Sequence, residues 1–253
     1  MAHDEEKADE HFNMVKGISH VPDVSVKEAF GVMQHGVPSL TPCVLTTEVF
    51  LAGKFAKKFK GDPDGLTEDQ IAAIHLYTQD TPIYRTLNAV LRERNRSLLL
   101  PFFPFLKLLL GGLYKLPLPA TPKTIYRGVN KAMVDKYPKD REVIWWAFSS
   151  ATASLDVLKN PLFLGDKGER TIFNIETRCF VDIRKYSAFQ NQEDERLILP
   201  GTFLKVGQYH FFTSGFLTGA TFYFPLSVDL VFFLMSIHLL KSQNDKFLFH
   251  IVV

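Results

Sequence analysis

Three acids in a row, Glu193-Asp194-Glu195, lead into the apolar run Leu197-Ile198-Leu199. In extended chain, residues two apart point to the same side at about 6 to 7 Å, so Glu193 and Glu195 face one ligand while Asp194 faces away. Two carboxylates so placed can divide labour, one beside a developing sugar cation and one taking a proton. Upstream, Tyr126-Arg127-Gly128 offers a planar guanidinium fork for a phosphate, with Gly128 allowing a ligand close to the backbone. A strand-end arginine in a salt bridge reads the same way. Between them, Phe148-Ser149-Ser150-Ala151-Thr152 follows Trp145 and Trp146, placing hydroxyls fit to bond a ribose beside rings, Phe148 included, that can wall a flat heterocycle. The plainer reading of the same stretch is a serine-rich turn capping a helix at 153–158.

Other chemistries are excluded. The chain of 253 residues has no GxGxxG, GxxxxGK, HExxH or GxSxG pattern, and its eight histidines do not cluster at ligand spacing. Cys43 and Cys179 are too few and too far apart for a disulfide framework or a cysteine metal centre. A net charge of +2 leaves no electrostatic footprint for nucleic acid. The acidic, polar start MAHDEEKADEHF lacks the pattern of a cleavable signal, so a cytoplasmic location is the default expectation.

These residues need elements to hold them. Residues 1–20 read as a polar, disordered tail and 21–253 as one domain. Apolar spacing of three and four predicts helices over about 45–59 and, behind the N-cap signature Thr67 to Gln70, over 68–78. Helical spacing recurs from Pro82 to Arg96, where Arg92, Arg94 and Arg96 read as a solvated face. Leu98 to Leu118, interrupted by Pro101 and Pro104, reads as a buried helix with a broken entry. After Pro122 the texture turns to β-rich runs at 124–128, 143–148, 170–183 and 196–206. The expected organisation is a helical lobe over about 44–118 followed by a β-rich lobe over about 119–253.

Residues 207–246 form an atypical apolar segment. Phe211 to Val228 carries no Asp, Glu, Lys or Arg, and a second uncharged run ends at Leu240. That is long enough to span a membrane, but Asp229 would cost about 3 kcal/mol near the centre. Membrane contact through 211–240 is therefore less favoured than an insertion looped out of the domain or retained-intron sequence.

Taken in order, the three stretches resemble the arginine-specific mono-ADP-ribosyltransferase family, whose signature is an arginine on one strand, a Ser-Thr-Ser-like motif on a second and Glu-x-Glu before a third. The likeness runs over roughly 65–206, through LeuThrGluAspGlnIleAlaAlaIleHisLeuTyrThr (66–78), IleTyrArgThrLeuAsn (83–88), PheLeuLysLeuLeu (105–109) and LeuProGlyThr (199–202). The middle motif departs from the family, reading Ser150-Ala151-Thr152 with no hydroxyl at its centre. The resemblance implies an α+β fold, a helical N-terminal lobe packed on a split mixed β-sandwich, with NAD in the cleft between the sheets. It implies transfer of ADP-ribose from NAD to arginine side chains of an acceptor protein, with no metal. Arg127 would hold the phosphates and adjacent ribose, and Ser150 would orient the active-site strand and Glu195. Glu195 would bond the 2′-hydroxyl of the nicotinamide ribose and stabilise the oxocarbenium ion, and Glu193 would position and deprotonate the target guanidinium. With water as acceptor the same site is an NAD glycohydrolase. A catalytically silent module that keeps the fold is the alternative from another class.

Overall fold

The computed structural model describes residues 15–40, 42–158, 164, 169–189, 194–212 and 217–223. Capping residues set where its helices begin. Ser25 accepts from the Glu28 amide while the Glu28 carboxylate accepts from the Ser25 amide, a closed capping box that starts α1 (Val26–Gly36). No helix was expected there, although Ser25 and Glu28 stand at the spacing that announces one. Helix α2 (Pro42–Ala56) runs into a 3₁₀ turn, Lys57–Phe59, together spanning the stretch expected as one helix. Helix α3 (Glu68–Thr78) keeps its expected limits, closed at its start by a second box between Thr67 and Gln70.

Helix α4 (Pro82–Arg92) stops short of Arg96 because Glu93 turns extended. The chain then passes through a 3₁₀ segment, Arg96–Phe102, into α5 (Phe103–Leu113), with Pro101 and Pro104 breaking the entry as their missing amides require. Among the described residues Arg96–Leu113 is the one stretch long and apolar enough to cross a membrane, and half of it is buried inside the lobe. Residues 15–20 depart from the expected tail: Ile18, in a short 3₁₀ turn, is 1% exposed in the helical core. The remainder of that expectation, 1–14, lies outside the described residues.

The second half forms β1 (Lys123–Val129), β2 (Glu142–Trp145), β3 (Ser149–Thr152), a single turn α6 (Leu155–Leu158), β4 (Arg170–Thr177), β5 (Phe180–Asp182), β6 (Glu195–Ile198), β7 (Thr202–Phe212) and β8 (Leu217–Tyr223). Two expected strands are each divided. The run 170–183 breaks at Arg178-Cys179, and 196–206 breaks at a turn in which Gly201 takes φ 79° and donates its amide to the Trp145 carbonyl at 2.7 Å. Strand order is β2-β7-β8-β4-β1-β3-β6-β5; β4 and β8 are parallel and the other neighbours antiparallel. Within the apolar segment 207–246, residues 207–212 and 217–223 are therefore sheet backbone. Residues 224–246 and the strand expected at 247–253 lie outside the described residues.

The sheet is split where β1 meets β3 through the single register pair Tyr126 and Thr152. The β3-β6-β5 end carries a core on each face, following the two-residue period of a strand. Leu197 and Val181 point to the helices, while Ile198 and Phe180 point to Ile125, Phe173 and Leu204 from the other half. The architecture is thus the expected α+β fold, a helical lobe on a split mixed β-sandwich. Thr67→Ala removes the cap of α3, and urea unfolding should show a loss of about 1 kcal/mol with an unchanged m-value.

Candidate functional site

Register places the chemistry. Thr152 lies opposite Glu195 and Ser150 opposite Leu197, so all four side chains share the face of β3-β6 that looks to the helices. Toward one end that face is covered, and Leu197 and Phe148 join the helical core. Toward the other end the cover stops, and Ser150 and Glu195 meet a cleft of about 130 Å³ also lined by Arg127, Gly128, Val157 and Leu158.

Glu195 is only 7% exposed. Its Oε2 accepts from Ser187 Oγ at 2.6 Å, and its Oε1 accepts from Ser150 Oγ at a long 3.4 Å. Burial pushes the carboxyl above the ordinary glutamate range, and the hydroxyls of Ser187 and Ser150 oppose that rise by bonding the charged form. Half-buried Arg127 donates from Nη1 to the Ser150 carbonyl at 2.7 Å, tying β1 to β3 beside the carboxylate. Desolvation pulls its guanidinium below the usual arginine value; the Tyr77 hydroxyl works against this and the Arg92 charge adds to it. Even so, a guanidinium stays charged in a protein.

Three expectations are refined or corrected. Phe148 does not wall the cleft: its ring is 2% exposed and packs on Tyr77 at 5.0 Å between centroids, because α3 covers that part of the face. The backbone beside Gly128 is already approached, since a Cβ there would sit 3.1 Å from Leu164 Cδ1 and 3.4 Å from Leu158 Cδ2. That glycine accommodates two leucines. Ala151 faces the opposite way from Ser150, into the sandwich core, where a methyl packs and a hydroxyl would need a partner. Asp194 is held by Arg184 at 3.0 Å and Arg196 at 2.9 Å. Glu193 lies outside the described residues. Arg92, expected on a solvated face, is exposed and donates to the Asn88 carbonyl, while Arg96 stacks over Trp146.

The sequence reading missed the turn that holds Ser187. Tyr186 Oη meets Asp62 at 2.9 Å and Asp64 at 2.6 Å, and Lys185 Nζ pairs with Asp64 at 2.9 Å. Burial works to raise the Asp62 carboxyl, yet Lys185, Tyr186 and the Leu66 amide hold it below the usual range. Asp62, Asp64 and their glycine neighbours signal a turn; nothing local signals partners more than 120 residues away.

A family model described as NAD:arginine ADP-ribosyltransferase matches residues 50–211. No curated protein matches the chain. Among solved structures, a mutant of the eucaryotic mono-ADP-ribosyltransferase ART2.2 in complex with NADH is similar with a TM-score of 0.57 and 22% identity, over 77% of this chain and 83% of that one. Exoenzyme S from Pseudomonas aeruginosa, in complex with human 14-3-3 protein beta and bound to carba-NAD, gives 0.51 and 18% over 68% and 82%. The ADP-ribosyltransferase Vis of Vibrio splendidus, in complex with agmatine, gives 0.50 and 19% over 70% and 85%. At these identities the likeness is one of fold.

Because folding raises the pKa of Glu195, the folded state disfavours its ionisation. The cost is absent below the unfolded pKa and full above the folded one. Glu195→Gln should therefore be more stable than the wild type near neutral pH, with the gain closing as pH falls below the ordinary glutamate range; urea unfolding at both pH values reads it. Tyr186→Phe removes the one phenolic proton that serves Asp62, whose side chain is fully buried, and Asp64, and should lose about 1 to 3 kcal/mol in the same assay.

Proposed function

We propose that this chain, which belongs to the NAD:arginine ADP-ribosyltransferase family, moves ADP-ribose from NAD to the guanidinium of arginine residues in an acceptor protein and releases nicotinamide. The observation that supports this most is the placement of Glu195, a buried carboxylate bonded by two serines, at the edge of a cleft that also holds Arg127 and Ser150. The NAD complexes of fold relatives and the agmatine complex of Vis support the choice of substrates.

The reaction breaks the bond between the anomeric carbon and the nicotinamide nitrogen. The bonding pair leaves with nicotinamide, which departs neutral, and positive charge develops on the ribose. A fixed carboxylate in a water-poor site acts where that charge appears, without solvent reorganisation at the moment of reaction. Glu195 supplies the opposing negative charge, and its ionised form is the active one. Arg127 supplies the planar fork for the phosphates. A guanidinium nitrogen then bonds the anomeric carbon and loses a proton, which Glu193 accepts; arginine, with a pKa above about 12, needs such a base.

Incubation of the full chain with NAD and agmatine, followed by mass spectrometry, should yield nicotinamide and ADP-ribosyl-agmatine in equal amounts. Nicotinamide without adduct identifies a glycohydrolase, and neither product identifies a silent module. Glu193→Gln should lose transfer and keep some hydrolysis, whereas equal loss of both would sink the division of roles. Arg127→Lys should weaken NAD binding about tenfold in an equilibrium titration, because an ammonium cannot reproduce the fork.

A further inference from the structure

We propose that Ser187 is the positioning residue for Glu195, fixing Oε2 of the carboxylate to the helical lobe and leaving Oε1 as the oxygen that faces the substrate. This rests on the role of Glu195 proposed above.

The two serines that meet this carboxylate are unequal. Ser150 is exposed and stands 3.4 Å from Oε1, at the limit of a hydrogen bond. Ser187 is 1% exposed and stands 2.6 Å from Oε2, the short range of a hydroxyl donating to a charged oxygen. Its hydroxyl is also oriented. Ser187 Oγ accepts from the Phe189 amide at 3.1 Å, so its one proton is directed at Glu195.

The backbone that carries Ser187 is clamped on both sides. The Ser187 amide donates to the Ile183 carbonyl at 2.8 Å. The Tyr186 carbonyl meets His75 Nδ1 at 3.2 Å, and the Ala188 amide donates to Thr78 Oγ1 at 2.9 Å. His75 is itself stacked on Phe55 with centroids 3.8 Å apart. Tyr186 and Lys185 reach the 62–64 turn from the same short stretch. Five successive residues, 184 to 188, thus include four that are bound either to α3 and its preceding turn or to Glu195. No such clamp reaches Ser150, whose carbonyl is tied to Arg127 alone among the side-chain bonds described.

Among the described residues, Tyr77 on α3 is a further ionisable group that acts on Glu195, and Arg127 on β1 lines the same cleft. Arg127 is also coupled to Tyr77. Neither is a hydrogen-bond partner of the carboxylate among the described residues, so the orientation of Oε2 falls to Ser187.

The test compares Ser187→Ala, the near-isosteric Ser187→Cys with its weak donor, and Ser150→Ala. The first readout is the titration of the Glu195 carboxyl carbon by ¹³C NMR, assigned by its absence in Glu195→Gln. Both Ser187 variants should raise the Glu195 pKa, and by more than Ser150→Ala does. The second is nicotinamide release, whose kcat should fall about tenfold or more while KM for NAD stays within about threefold; its acid limb should move to higher pH with the NMR value. If Ser187→Ala does not fold, Ser187→Cys decides alone. An unmoved Glu195 titration in the folded Ser187 variants overturns the proposal, as does a change confined to KM. A wild-type chain that releases no nicotinamide defeats the activity reading, while the NMR titration still decides Ser187.

Discussion

A carboxylate taken out of water opposes its own ionisation, and the fold around Glu195 is organised against that tendency. Burial raises its pKa, yet the chemistry proposed for it needs the charged form. Two hydroxyls restore part of what water would give. The better placed of them, Ser187, comes from a turn that the helical lobe grips through Asp62, Asp64, His75 and Thr78. The helical lobe is therefore more than a cover for one face of the sheet. It carries the contacts that hold a buried acid at the edge of the cleft.

The same economy appears in the β3-β6 pair, where one face does two things. A strand period of two sends Ser150, Thr152, Glu195 and Leu197 toward the helices and Ala151 and Ile198 into the sandwich. Where α3 covers the shared face, Phe148 and Leu197 are core. Where the cover ends, Ser150 and Glu195 line the cleft. Alanine at the centre of the motif suits this parity, because its methyl packs in the apolar core between the sheet halves.

Much of the fold was legible where local chemistry decides the outcome. Thr67 and Gln70 closed the start of α3 as their spacing announces, and the prolines at 101 and 104 broke the entry to α5. Helix α1 went unread although Ser25 and Glu28 carry the same box, because its apolar positions alternate with glycine and proline neighbours in sequence. The runs 170–183 and 196–206 each conceal a break, at Arg178-Cys179 and at the Gly201 turn, because the apolar residues on either side read as one continuous strand. Arg127, Ser150 and Glu195 stood out as types in a familiar order, and the structure brings them to one cleft. Phe148 was misplaced for a reason the sequence does not hold: it lies on the site's face, but a helix 70 residues earlier covers it. Ser187 was invisible for the same reason, its meaning arising only from contacts made across the fold.

The central claim is that Glu195 acts on the cationic transition state rather than on NAD as bound. The direct measurement is the NAD affinity of Glu195→Gln by equilibrium titration, set beside its rate of nicotinamide release. The account predicts affinity within a few-fold of wild type and a rate lower by about 10² to 10³ or more. An affinity that falls as far as the rate would contradict it, because the carboxylate would then contribute to binding and not to the breaking of the bond.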